Sequence, residues 1–360
     1  MPTIMAALGL GAAATTSQLI TAALTVDTAP TIAQVNTFID RIDVTSWSAT
    51  KISALQEIQL FLGGNGNLAF IHMDRAFVAL QLILRVNDHG VINQQTRSIC
   101  GPAAFVTAIA KANPPEYARY VIDMAGNGRA NLKSMAITPG RNILDENPAH
   151  SNIPQADYIA LASLRSSTAY LGYDRTLTSE MLQGASIGST IGQWMRDAGF
   201  TRVAVETSSG WSRFNRSPTQ AGRTTQGRNS AQTGSLHDAI TRARAGETVI
   251  LCVSPNMAAV IMQGNVRLAR NWDLTTGTGW GNFGTAAFTA HWILLEDAEI
   301  RDAIATSTVN GHLVAGPGVR FKISTWGRQS PNLANAVVIP YSKIASWYWG
   351  YVAGDPRGRP

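Results

Sequence analysis

Cys100 and His291 are the two side chains of this sequence whose type and setting point to covalent chemistry. Cys100 stands before Gly101-Pro102 and a run rich in helix formers, Ala103 to Ala112, which Asn113-Pro114 stops. Proline suits the first helical position, because its φ is already helical and its missing N–H has no partner there. The spacing therefore predicts Cys100 just before the first turn, where unpaired backbone N–H groups and the positive end of the helix dipole favour a thiolate. His291 lies in Ala286 to Glu296, AAFTAHWILLE, the strongest strand pattern of the chain. Alternation puts His291, Ile293 and Leu295 on one face and Trp292, Leu294 and Glu296 on the other. An imidazole at the start of the aliphatic part of a strand suits a base that takes a thiol proton and remains as a stabilising imidazolium.

The other candidates for chemistry are weaker. His72 lies in a helical region, His89 and His150 fall in turns, His237 sits on a predicted helix from Leu236 to Ala245, and His312 follows the turn Asn310-Gly311. No pair of them has metal-ligand spacing, so no metal is expected, and nothing calls for a cofactor. Cys252 sits inside the apolar run Thr248 to Ser254, TVILCVS, which reads as a strand buried on both faces, and so as a small core residue. Two cysteines are too few for a disulfide framework. Gly184-Ala185-Ser186-Ile187-Gly188 matches the spacing of a serine-hydrolase nucleophile elbow, but Thr178 to Gln183 does not read as the strand an elbow requires.

These residues need elements to hold them. Apolar residues at helical spacing predict helices over Thr31 to Ile42, Ala49 to Leu62 and Met73 to Val86, the last with Phe77, Leu80 and Leu84 on one face. Residues 1–90 are expected to form a helical region of their own, acting as an accessory, docking or pro-segment, and residues 91–360 the domain that carries the chemistry. Within the latter, Pro115 to Ala125 reads as a helix closed by Gly126-Asn127-Gly128, Met135 to Pro154 as a long polar connection, and Ala156 to Ser166 and Ile191 to Ala198 as helices. Gly199 then caps the last of these before a strand at Arg202 to Glu206. Residues 208–234 are rich in Ser, Thr, Gly, Asn and Gln, carry Arg213, Arg216, Arg223 and Arg228 and hold no acidic residue; they are expected to form a polar loop, with Trp211 as an anchor if it faces substrate. A Gly-rich stretch from Thr275 to Gly284 suggests a loop at a cleft edge.

Composition sets outer limits. In 360 residues the charged fraction is 14% and the hydrophobic fraction 45%, which argues for a globular chain and against disorder. The net charge of +6 comes without a dense basic block, so nucleic-acid binding is not expected. Met5 to Leu24 is apolar but interrupted by Thr15, Thr16, Ser17 and Gln18, and no Lys or Arg precedes Arg41. Neither an ordinary secretory signal nor stable membrane insertion is expected from it. The protein is expected to be cytoplasmic, or secreted without such a signal.

Gln94, five intervening residues and then Cys100-Gly101-Pro102-Ala103 resemble the nucleophile segment of papain-like cysteine peptidases, in particular the branch of bacteriocin-processing peptidases. The resemblance implies an α+β papain-like fold with a helical subdomain and an antiparallel sheet. It also implies an oxyanion hole formed by Gln94 with the Cys100 backbone N–H, and a histidine base on a later strand. Ser324-Thr325-Trp326-Gly327, at the end of the predicted strand Val319 to Thr325, is similar to the family's Asn-Ser-Trp-Gly run, with Ser324 where the orienting Asn stands. A serine there keeps a hydrogen bond to the imidazole but brings no charge. The implied activity is cleavage of a protein or peptide substrate through an acyl-thioester. The same groups serve deamidation, transglutamination or cell-wall amide hydrolysis, and a non-catalytic papain-like binding protein is the alternative from another class. A bacterial effector or toxin, with a secretion machine or immunity protein as partner, is the setting that the resemblance and the missing signal suggest. The run Ala76 to Thr96, AFVALQLILRVNDHGVINQQT, also faintly resembles the last helix and turn of peptidoglycan-binding repeats, although His89 interrupts the turn and Asn93 stands where the repeat has Gly.

Overall fold

A computed structural model describes residues 14–26, 28–95, 97, 99–147, 152–168, 187–207, 234–263, 291–301, 307–309, 312–314, 317–341, 344 and 347–357. The polar loop at 208–233, the Gly-rich stretch 275–284, most of the elbow-like Gly184–Gly188 motif, residues 286–290 and His150 lie outside them. By contact the chain divides into two compact units, Met1–Pro102 with Val106–Gly184, and Ala103–Phe105 with Ala185–Pro360. The division does not follow the boundary at residue 90 expected from the sequence.

The first unit is mainly helical. Its helices are α1 (Thr16–Ala23), α2 (Ile32–Arg41), α3 (Ala49–Leu62), α4 (Arg75–Asn87), α5 (Cys100–Ala112), α6 (Pro114–Asn127), the short α7 (Arg141–Leu144) and α8 (Gln155–Thr168). Local chemistry starts them: Thr15 with Gln18, and Thr31 with Gln34, form reciprocal capping boxes, while the Ser48 and Asp74 side chains accept from the N–H groups of Lys51 and Phe77. Because Asp74 takes the cap, α4 begins at Arg75 and not at Met73. Helix α3 packs on α4 and α6, and α8 packs on α4 and α6. That packing explains the boundary: the helices before residue 90 complete the same core as those after it.

Helix α4 departs from the one-sided pattern predicted for it, since every residue from Val78 to Val86 is buried, Gln81 and Arg85 included. A helix surrounded by neighbours has no solvent face to show in its periodicity. The expected polar connection after Met135 also contains structure, a hairpin of β1 (Ala130–Leu132) and β2 (Met135–Ile137), with α7 after it. Its strands are three residues long, too short for alternation to stand out. Gly128, at φ +65°, caps α6 in the left-handed region that glycine enters without a Cβ clash.

The second unit is built on a seven-stranded antiparallel sheet, with β3 (Thr201–Thr207), β4 (Thr248–Val253), β5 (His291–Arg301), β8 (Gly318–Thr325), β10 (Val338–Pro340) and β11 (Tyr348–Asp355) in the order β10-β8-β5-β4-β11-β3; β9 (Arg328–Gln329) pairs with β8. Between β5 and β8, β6 (Ser307–Val309) pairs with β7 (His312–Val314). Helix α9 (Gly188–Asp197) packs on β3 and β11, a helix over 234–244 (α10) precedes β4, and α11 (Pro255–Gln263) packs on β5 and β8. All six residues of β4 are buried, as its unbroken apolar run predicts. Leu236 and Ile240 of α10 and Met257 and Ile261 of α11 form one core with Leu251, Ile293, Leu295, Phe321 and Ile323 of the sheet. The result is a mixed chain of helices and antiparallel sheet, in the α+β class.

Candidate active site

Helix α5 begins at Cys100 itself. Ile99 precedes it with φ −114° and ψ 36° and makes no side-chain cap. Pro102 is the third helical residue instead of the first, a shift the helix accommodates because none of its first four N–H groups has an intrahelical acceptor. Cys100 is partly exposed and Cys252 buried, and neither is in a disulfide.

The segment leading to Cys100 is tied to its own backbone and to one buried carboxylate. Gln94 is buried, and its side-chain Nε2 donates to the Arg97 carbonyl at 2.8 Å while the Arg97 N–H returns to the Gln94 carbonyl at 3.2 Å. Gln95 has φ +53°, and its N–H donates to Asn93 Oδ1 at 2.8 Å. The Asn93 N–H donates to Asp157 Oδ2 at 3.0 Å. Asp157, fully buried on α8, also accepts from Arg85 of α4, through Nε at 2.6 Å and Nη2 at 2.5 Å. Arg85 completes its contacts by donating from Nη1 to the Gln81 carbonyl at 3.0 Å. Burial alone would pull the Arg85 guanidinium down, but the Asp157 charge and hydrogen bonds outweigh it and leave the group raised. The only hint of this pair in the sequence is an arginine inside the apolar helix LQLILRV.

In the second unit His291 is buried at the start of the described part of β5, opposite Val253 of β4. Its Nε2 lies 2.7 Å from Thr325 Oγ1, and its ring stacks on Trp326 with centroids 4.5 Å apart and planes 15° from parallel. Trp326 and Gly327, at φ +50° and +74°, form the two-residue turn between β8 and β9. A left-handed backbone is uncommon for so bulky a residue, and here it accompanies the ring that covers the imidazole. Burial pushes His291 down from 6.5 to about 3, so the ring is neutral at pH 7.

Ser324 does not meet His291. It stands opposite Leu294 in the β5–β8 register, and its hydroxyl donates to the Glu296 carboxylate. The reason is strand alternation: a residue opposite Leu294 shares its face with Trp292 and Glu296, whereas His291 belongs with Ile293 and Leu295. The hydroxyl on the imidazole is that of the next residue, Thr325. Ser324, at the Asn position of the resembling run, is thus turned to Glu296, and the register of β5 against β8 leaves the imidazole to Thr325.

Cys100 and Gln94 thus belong to the first unit, and His291, Thr325, Trp326 and Ser324 to the second. Among the remaining histidines, His72 is exposed and His237 Nε2 lies 2.6 Å from the Tyr341 hydroxyl. Among the described residues, no group of three or more His, Cys, Asp and Glu side chains is arranged to hold a metal ion, and no helix is long and apolar enough to cross a membrane. Fold and side chains define an α+β protein with a cysteine at a helix start and a histidine fixed at one end of a sheet strand. The chain matches no family model, no curated protein and no solved structure.

Proposed function

We propose that this protein is a papain-like cysteine hydrolase that cleaves peptide bonds in protein substrates by acyl transfer to Cys100, with His291 as base and acid. The observation that carries this reading is the setting of His291. One ring nitrogen is taken by Thr325 and one ring face by Trp326, so the imidazole has a fixed orientation with Nδ1 as its second nitrogen. A helix that opens on the cysteine and an antiparallel sheet that carries the histidine support it further, since this is how the resemblance divides the two roles.

In this mechanism His291 Nδ1 takes the Cys100 proton and the sulfur adds to the scissile carbonyl. The oxyanion is held by the Cys100 backbone N–H and by the N–H of the Gln94 amide that Arg97 does not use. The imidazolium then protonates the departing amine, leaving an acyl-thioester. Water, deprotonated by the same imidazole, attacks that thioester and releases acid and thiol. Thr325 Oγ1 accepts from Nε2–H throughout and so fixes the tautomer.

One observation favours a second reading, a non-catalytic papain-like binding protein. Burial holds His291 well below neutrality, and its hydroxyl partner carries no charge to stabilise an imidazolium. Alkylation with iodoacetamide separates the two. Faster labelling at Cys100 than at Cys252, abolished by His291→Ala, is the result expected of the enzyme. Equally slow labelling of both thiols overturns it.

A further inference from the structure

We infer that Asp157 is a positioning residue for Cys100, acting through the Asn93 backbone; the inference rests on the proposed thiol chemistry and names what holds the nucleophile's segment in place. Three features of the first unit converge on it. Asp157 is fully buried, and its Oδ2 accepts at once from Arg85 and from the Asn93 N–H. Of the described residues from Asn93 to Ile99, Asn93 is tied to Gln95 and Gln94 to Arg97 by hydrogen bonds within the segment. The bond from the Asn93 N–H to Asp157 ties the start of this segment to α8 and, through Arg85, to α4.

The energetic argument has the same direction. Gln95 is held in the left-handed region, a conformation that persists when its surroundings over-determine it. Ile99 supplies no side-chain cap to α5, so the approach of the chain helps to set how Cys100 meets the N–H groups of the first turn. An anchor that fixes Asn93 therefore fixes Gln94 and the Cys100 turn together. Arg85 clamps both oxygens of the Asp157 carboxylate in a bidentate pair, which locks its plane.

The test is the pH profile of Cys100 carbamidomethylation by iodoacetamide, followed by mass spectrometry on the full chain, with Cys252 as internal control. Two variants are compared with the wild type: Asp157→Asn, and Arg85→Met/Asp157→Leu, which removes both charges and so leaves none buried alone. Circular dichroism establishes that each is folded. The expected result in the folded variant is a midpoint raised by about one pH unit, hence labelling about tenfold slower below the midpoint, with the high-pH plateau unchanged. A merely structural loosening alters the plateau and leaves the midpoint where it was; that outcome, or an unmoved profile, overturns the inference. A wild-type Cys100 that titrates like an ordinary thiol near about 8.5 instead overturns the proposed chemistry and the inference with it, and is told apart by the wild type alone.

Discussion

Each unit buries a polar centre, and the two are kept in opposite states. In the first, Arg85 and Asp157 form a buried ion pair and meet each other's hydrogen-bonding needs, with Gln81 and Asn93 making further bonds to them. In the second, His291 is neutral and has a hydroxyl and an indole for company, with no carboxylate on its ring among the described residues. Paired charges tolerate burial only when both partners are present, whereas a neutral imidazole needs little compensation but resists protonation. The first arrangement suits a fixed anchor. The second suits a ring held neutral in one orientation.

The comparison is broken most directly at Asp157. Asp157→Ala leaves the guanidinium buried alone and is expected to cost about 3–5 kcal/mol in denaturant unfolding, while Arg85→Met/Asp157→Leu stays close to the wild type or exceeds it. A loss below about 1 kcal/mol for the single variant would show that water reaches the pair.

The neutral centre is tested by pH. The folded His291 pKa, about 3, lies below the unfolded value of 6.5, so between these values the unfolded chain binds the extra proton. The stabilising contribution of the neutral ring is therefore complete above about 6.5 and is lost as pH falls towards 3. The stability of the wild type relative to His291→Asn is expected to fall by up to about 1.4 kcal/mol per pH unit in that window. Thermal unfolding of both proteins from pH 7 to pH 4 reads the difference, and parallel curves would mean that the imidazole is not shielded.

A smaller effect separates the two adjacent hydroxyls. Thr325→Val keeps the shape but leaves His291 Nε2 without its partner and is expected to cost about 1–3 kcal/mol. It should also slow Cys100 alkylation, whereas Ser324→Ala, which loses only the bond to Glu296, should leave that rate unchanged. The smallest effect is expected at Tyr117, whose buried hydroxyl is without a hydrogen-bond partner among the described residues and whose phenol burial pushes up, with the Asp157 charge adding to it. Tyr117→Phe should change unfolding stability by less than about 1 kcal/mol, and a larger loss would reveal an unseen polar partner.

Much of the local structure was legible in the residues. Asn113-Pro114 and Gly128 mark helix ends, the TVILCV run marks a strand buried on both faces, and Gly199 at φ +86° follows α9 where a cap was expected. The structure departs from the sequence pattern where an element's signal is weak or hidden. Strand β5 runs on to Arg301, past the expected end at Glu296, because Asp297, Glu299 and Arg301 hide a pairing with β8 that continues beyond a bulge at Leu295/Asp297. The capping boxes at Thr15 and Thr31 were readable from T-x-x-Q spacing and would have set the helix starts.

The sequence by itself determined which residues are chemically able: a thiol at a helix start, an imidazole at the head of an apolar strand, an amide before the thiol, and two hydroxyls before Trp326-Gly327. These follow from side-chain type and from periods of two and 3.6 that need only near neighbours. Tertiary structure alone decided which hydroxyl touches the imidazole, since that depends on the register of β5 against β8, and which carboxylate holds the cysteine's segment, since Asp157 and Arg85 are brought together by helix packing. Such pairings join residues far apart in the chain, and no local pattern encodes the distance between them.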